Sequence, residues 1–278
     1  MRVFVLILAL MILLLVSVVL LAGARWRGGT ARLVARLRPA VSPSPVFSAH
    51  ELEGLPAPVA FYLAAVIPEG QPLRLTARLQ QKGSFLLKPT ADGWRPFTAV
   101  HHVCAQPPGF VWDARIAMAP GLAVRVRDSF VDGVGGMNAR LGGLVKLVHA
   151  EGTPEIAAGA LVRWLAEATW LPAALLPASG VRWEPLDDTS ARAHLEVGAT
   201  RVALDFHFGP DGLVERVYTP GRGRDVDGQS VPTPWQGRFG HWERRGGMLI
   251  PLEGEVEWLL PEGPQPYWRG RISGADYR

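Results

Sequence analysis

The chain of 278 residues contains one cysteine, Cys104. That excludes an internal disulfide framework and any thiolate metal cluster. Acidic residues are missing from the first fifty positions. The first is Glu51, and six arginines (Arg2, Arg25, Arg27, Arg32, Arg36 and Arg38) come before it. The formal net charge of +4 therefore belongs to the N-terminus, because 23 basic residues face 25 acidic ones from Glu51 onward. A nucleic-acid-binding domain carries its positive charge on the folded part, so no nucleic-acid partner is expected. Catalytic signatures are absent as well. The sequence has no G-x-S-x-G elbow, no G-x-x-x-x-G-K-[ST] loop, and no H-E-x-x-H or H-x-H spacing among its seven histidines. In Gly133-Val134-Gly135-Gly136, Asn138 stands where a nucleotide loop needs its third glycine. Arg224-Asp225-Val226-Asp227-Gly228 lacks the later carboxylate of a calcium loop and reads as a turn. No catalytic residue, cofactor or metal is implied, and the chain is read as a protein other than an enzyme.

The longest apolar run is what the sequence does have. Residues 3–22 carry no charge, and twenty helical residues span about 30 Å, the thickness of the hydrocarbon core. Ala22-Gly23-Ala24 matches a signal-peptidase site, but signal cores run only about 7 to 15 residues, so a transmembrane anchor is expected over 1–24. The arginines that follow alternate with Leu33, Val34 and Leu37, as in a short helix lying on headgroups or a stop-transfer flank. Pro39 to Pro45 reads as a semi-extended spacer, which makes 25–50 a basic, Pro-rich juxtamembrane linker. The protein is thus expected to be a single-pass membrane protein. The positive-inside rule places its large C-terminal part, 51–278, on the cytoplasmic side.

That part reads as one β-rich globular domain. Leu55 to Ile67 can form a short helix, after which the apolar period changes from 3.6 to 2. Alternation runs through Leu73 to Gln80, Val124 to Arg127, Val202 to Phe208 and Glu255 to Leu260. Between such runs stand the turn signals Asp92-Gly93, Asp132-Gly133, Asp211-Gly212 and Gly246-Gly247. Short connections favour antiparallel pairing. One helix interrupts the strands, with Thr153 as N-cap, Pro154 at the first position and Pro172 at its end. It is apolar at Ile156, Ala160, Leu161, Trp164, Leu165 and Ala168, with Arg163 and Glu167 on the wet side. The fold class is mainly β (α+β): a large curved antiparallel sheet with one long helix segment packed on its apolar face. Near the C-terminus, a hairpin turning through Pro261 to Pro266 is expected to set Glu257 opposite Arg269, Glu255 opposite Arg271 and Trp258 beside Trp268.

In F-V-W-D-A-R-I-A-M, residues 110–118, Phe110, Trp112, Ala114, Ile116 and Met118 point one way on a strand. Asp113 and Arg115 share the other, solvated side, where they pair with each other or across to a neighbour. Ten tryptophans exceed what an ordinary core needs. A sheet–helix cavity for an apolar ligand would be lined by Trp112, Ile116, Met118, Leu161, Trp164, Leu204, Phe206 and Trp258, with Trp164 directed at Trp112, Phe206 or their neighbours. The expected function is a membrane-tethered module that binds a membrane lipid or another apolar small molecule. The alternatives are a hydrolase-like cleft using Asp113, Asp128, Asp132 or a histidine, and a structural envelope-associated protein with a filled core.

The stretches PPGFVWDARIAMAPGLAVRVRDSFVDG, WLPAALLP, VPTPWQGRFGHW and IPLEGEVEWLLPEG resemble a bacterial family that carries only a domain-of-unknown-function label. The resemblance covers roughly residues 55–273 and brings no assigned activity. The strand-rich order with one central helix is also similar to the LolA/LppX type of lipoprotein carrier. That analogy implies a curved antiparallel sheet with helices on its concave side, and a place outside the cytoplasm, against the charge rule.

Overall fold

The computed structural model describes residues 2–38, 45–88, 90 and 93–278. Residues 39–44 of the expected spacer, and Asp92 of the turn signal Asp92-Gly93, lie outside the described residues. The chain begins with helix α1 (Arg2–Arg36), a short 3-10 turn (Ala49–Leu52) and α2 (Ala57–Val66). Six strands follow: β1 (Thr76–Leu86), β2 (Trp94–Cys104), β3 (Gly109–Ala119), β4 (Leu122–Val131), β5 (Val134–Leu141) and β6 (Val145–Glu151). After α3 (Pro154–Glu167) and three 3-10 turns up to Ser179 come seven more: β7 (Arg182–Asp187), β8 (Ser190–Val197), β9 (Thr200–Phe208), β10 (Val214–Val226), β11 (Gln229–Arg245), β12 (Met248–Leu260) and β13 (Gly263–Tyr277).

Each set of strands is an antiparallel meander, and β1 pairs with β13 to join them into one 13-stranded sheet with β6 and β7 at its edges. Three of the hairpin turns fall on dipeptides that the sequence marks as turns. Asp132-Gly133, Asp227-Gly228 and Gly246-Gly247 all have positive φ at both central residues, the turn whose twist matches the flanking strands.

The helix α3 shows that the sheet is curved. It touches β3, β4 and β5 of the first wing and β9 and β10 of the second. On a flat sheet β5 and β9, nine strand steps apart, would be separated by about 43 Å at ~4.8 Å per step. A helix is only about 10–12 Å across, so the two wings fold toward each other around it. Thr153 caps α3 by accepting from Ile156 N at 3.4 Å, and Pro154 occupies the first position, where its missing N–H costs no bond. Gly135 on β5 permits the close approach: a Cβ there would stand 2.7 Å from the Ile156 carbonyl oxygen and 2.8 Å from Ala157 Cα. α2 bridges β8 and β12, burying Val59, Tyr62, Leu63 and Val66 completely.

The arginine-rich segment, which the sequence allows as a short helix, is helical: α1 continues without a break to Arg36, and its second half docks on β3 and β4. Two expectations need correction. The C-terminal hairpin turns earlier than expected, between Leu260 and Gly263, so its register moves by two residues. Glu255 stands opposite Arg269, Glu253 opposite Arg271 and Val256 opposite Trp268. A shift of two keeps each side chain on its own face. A bulge at Val256/Glu257 then brings Trp258 into a stack with Tyr267 (ring centroids 5.6 Å apart) rather than with Trp268. Glu257, expected in solvent, is buried, where it accepts a hydrogen bond from Gln236 and lies 3.2 Å from an Arg238 nitrogen.

Candidate functional site

The strand face that carries Trp112, Ile116 and Met118 turns inward, as the alternation requires. Between it, α3 and the second wing lies a cavity of about 490 Å³. Both wings contribute. Val124, Val126, Met137 and Ala139 line it from β4 and β5, while Trp235, Val256, Trp258 and Trp268 do so from β11 to β13. One helix face completes it, Arg163, Ala166 and Glu167, followed by Trp170 at the same spacing. The volume falls within the range of small-molecule sites, and the wall is mostly apolar and aromatic.

The eight residues proposed from sequence divide into two groups. Trp112, Ile116, Met118 and Trp258 line the cavity. Leu161, Trp164, Leu204 and Phe206 do not. They are packed in the solid core on the far side of α3, each at most 1% exposed. Trp164 donates its indole N–H to the carbonyl of Cys104 at 3.0 Å, while Phe206 meets Trp183 edge-on at 5.1 Å.

Sequence reasoning put Arg163 and Glu167 in solvent, whereas both face the cavity. Arg163 lies 2.6 Å from Asp128 and 3.0 Å from Glu167, and its guanidinium sits over the rings of Trp112 (4.9 Å) and Phe110 (5.1 Å). Burial works against the Arg163 charge, yet the carboxylates of Glu167 and Asp128 hold its pKa above the usual value. Burial raises the Glu167 carboxyl, and Arg163 opposes that rise. Next to them His101 is fully buried. It lies between Phe110 and Trp170, its Nδ1 3.4 Å from Glu167 but with neither ring nitrogen hydrogen-bonded among the described residues. Burial first, then Arg163 and His102, push its pKa well below the ordinary value, so it is neutral at pH 7. The only signal for this cluster in the sequence was the i, i+4 spacing of Arg163 and Glu167, which an exposed helix face shows equally.

On the second wing Arg222 lies over Trp235 (4.6 Å) and Trp258 (5.8 Å) and donates to the Tyr267 hydroxyl at 3.1 Å. Trp235 donates to the same hydroxyl at 2.9 Å, so the aromatic wall of the cavity is tied together by hydrogen bonds.

Asp113 points away from the cavity, as expected, but its partner is not Arg115. It accepts from the Trp26 indole N–H (3.0 and 3.1 Å to its two oxygens) and from the Thr30 hydroxyl (2.6 Å). Arg127, opposite Asp113 on β4, lies over the Trp26 ring at 4.4 Å and donates to Trp26 O and Thr30 Oγ1. Asp132 pairs with Arg36, and Asp128 with Arg163. Asp113, Asp128 and Asp132 therefore stand apart from one another, and of the three only Asp128 lines the cavity, where it shares Arg163 with Glu167.

No curated protein matches the chain. Among solved structures it is similar to a LolA superfamily protein from Nitrosomonas europaea, at 9% identity over 84% of this chain and 94% of that one (TM-score 0.41). It is likewise similar to a domain described as outer-membrane lipoprotein-sorting from Vibrio parahaemolyticus, at 7% identity over 73% and 85% (TM-score 0.40). A DUF1329 family protein from Desulfovibrio piger aligns at 12% identity over 73% and 86% (TM-score 0.39). Alignments this loose carry no function across. The family model of DUF6920, a family of unknown function, matches residues 53–277, and the chain belongs to that family.

Proposed function

We propose that the chain is a membrane-anchored module that binds a lipid tail or another apolar molecule in the cavity between α3 and the two wings. The observation that carries this reading is the cavity itself. A core serving only stability closes to voids near the size of a water. Here about 490 Å³ is left among aromatic and aliphatic walls. Each methylene group taken from water into such a wall contributes about 0.8 kcal/mol, so an acyl chain is a natural occupant. None of residues 3–22 is buried along α1, and the run is long enough to cross a bilayer, which supports the anchor. In this reading 51–278 is the binding domain.

The experiment is binding of a fluorescent fatty acid to the detergent-solubilised full chain, with native mass spectrometry to detect co-purified lipid. Micromolar binding is expected, with displacement by lipid extract. Ala139 lines the cavity, so Ala139→Trp should weaken binding while the fold persists. Absence of both probe binding and co-purified lipid would sink the reading.

A further inference from the structure

α1 leaves the sheet at a defined end. Arg36 is held at the β4–β5 turn by Asp132 at 2.6 Å, Trp26 sits on Asp113 midway along β3, and Gly23 lies beside Arg125 near the start of β4. The helix thus follows β3 and β4 and directs its apolar half past the end where β3 turns into β4. Strand pairing places the β5–β6 and β1–β2 turns at that same end, since Phe97, Ile116, Val124 and Leu141 stand side by side across β2 to β5.

Large apolar side chains stand in solvent there: Leu87, Met118, Leu122, Leu144, Val145 and Leu147, the last two more than half exposed. Leu87, Met118 and Leu147 also line the cavity, so its mouth and the exposed apolar rim are one surface. A contiguous patch of this kind marks a contact site rather than ordinary surface. The charge around it is basic. From Arg115 to Val148 there are five basic residues and two acidic ones, and those two, Asp128 and Asp132, are paired with Arg163 and Arg36. Basic residues beside inserted apolar ones match an anionic headgroup layer.

We propose that this rim seats on the anionic phospholipid leaflet that α1 enters, and that the cavity draws its ligand laterally from that leaflet. The second clause rests on the reading of the cavity as a lipid site, and both rest on α1 as the anchor.

The test uses the full chain in vesicles of phosphatidylglycerol and phosphatidylcholine. In a Cys104→Ala background, Leu122→Cys, Val145→Cys and, at the opposite end, Val134→Cys each carry an environment-sensitive fluorophore. A phospholipid spin-labelled near its headgroup should quench the probes at 122 and 145 several-fold more than the probe at 134. Equal quenching at all three positions overturns the docking. The double variant Leu122→Asp/Val145→Asp should take up fluorescent fatty acid from vesicles on the order of tenfold more slowly, yet bind it normally in detergent. Unchanged uptake from vesicles overturns the lateral route. If the double variant fails to bind in detergent, the quenching comparison decides. If the unmodified chain binds no fatty acid in detergent, the cavity reading fails separately, and the quenching result still judges the rim.

Discussion

The two faces of α3 meet the same sheet with opposite results. Toward β9, Leu161, Trp164 and Leu165 join Leu204 and Phe206 in a closed core. The turns after the helix fill the remaining space there: Ala168, Leu171, Ala174, Leu175 and Leu176 have no exposed surface at all. On the other face Arg163, Ala166 and Glu167 stand over an open cavity. The difference is what the chain supplies as filler. One side receives the Pro-punctuated segment up to Ser179. The other receives a paired arginine and two carboxylates, which need each other and leave room beyond. Helical amphipathicity therefore separates a filled interior from a hollow one here, rather than interior from water.

The comparison can be broken most forcefully at Trp164. Truncation to alanine in a closed core costs about 3–5 kcal/mol. Trp164→Ala should show that loss in chemical denaturation, whereas Met118→Ala at the cavity mouth should cost less than about 1 kcal/mol. Equal losses would mean that the two sides are packed alike.

The ionic cluster is the next lever. Removing one partner from a buried ion pair costs about 3–5 kcal/mol, because the other charge is left uncompensated. Arg163→Met should lose stability at the lower end of that range, since the Glu167 carboxyl is already raised toward its neutral form. The triple variant Arg163→Met/Asp128→Leu/Glu167→Leu should recover most of the loss. A triple variant no better than the single one would show that the cluster holds the cavity open by itself.

His101 sharpens the comparison through pH. Its pKa in the folded protein lies well below the ordinary 6.5, with burial the main cause. Below pH 6.5 the unfolded chain binds a proton that the folded chain refuses, so stability falls as the solution is acidified. At one pKa unit per 1.36 kcal/mol, the loss from this group between pH 6.5 and 5 reaches up to about 2 kcal/mol. Glu167 acts in the opposite sense. Its raised pKa makes the folded state bind the extra proton, so its contribution falls as pH rises from 4.5 through the raised value. His101→Phe should remove the acid-side loss, seen as a flatter melting temperature between pH 6.5 and 5. An unchanged slope would assign that loss to His102 and His207, which burial also depresses.

A small effect is expected behind the cavity. Asp113→Asn keeps one acceptor for Trp26 and Thr30 and loses the charge beside Arg127. A cost of about 1 kcal/mol and looser docking of α1 should follow, measured by melting temperature and limited proteolysis, with fatty-acid binding unchanged. A loss of binding would tie the outer face to the cavity.

Much of the fold was legible in the sequence. Period-two alternation marked Val202 to Phe208 and residues 110–118 as strands, Asp132-Gly133 and Gly246-Gly247 as turns, and Thr153-Pro154 as the start of α3. The site was only half legible. Trp112, Ile116, Met118 and Trp258 were assigned to the cavity on the same grounds as Leu161, Trp164, Leu204 and Phe206, because alternation marks an inward face without marking what covers it. Arg163 and Glu167 were missed for the complementary reason: a charged helix face looks the same whether it meets water or a cavity.

What the sequence determines by itself is local. Twenty apolar residues make a helix long enough to cross a bilayer, alternation makes a strand with an inside, and a capping threonine with proline starts a helix, each through forces acting over a few residues. The β1–β13 pairing joins residues some two hundred positions apart, and with it comes the curvature that lets one helix touch both wings. The placement of Trp26 and Thr30 on Asp113, 87 and 83 residues away, is decided in the same way. Only the tertiary structure settles such contacts, because each depends on how far the sheet bends and which segment fills the space that bending leaves.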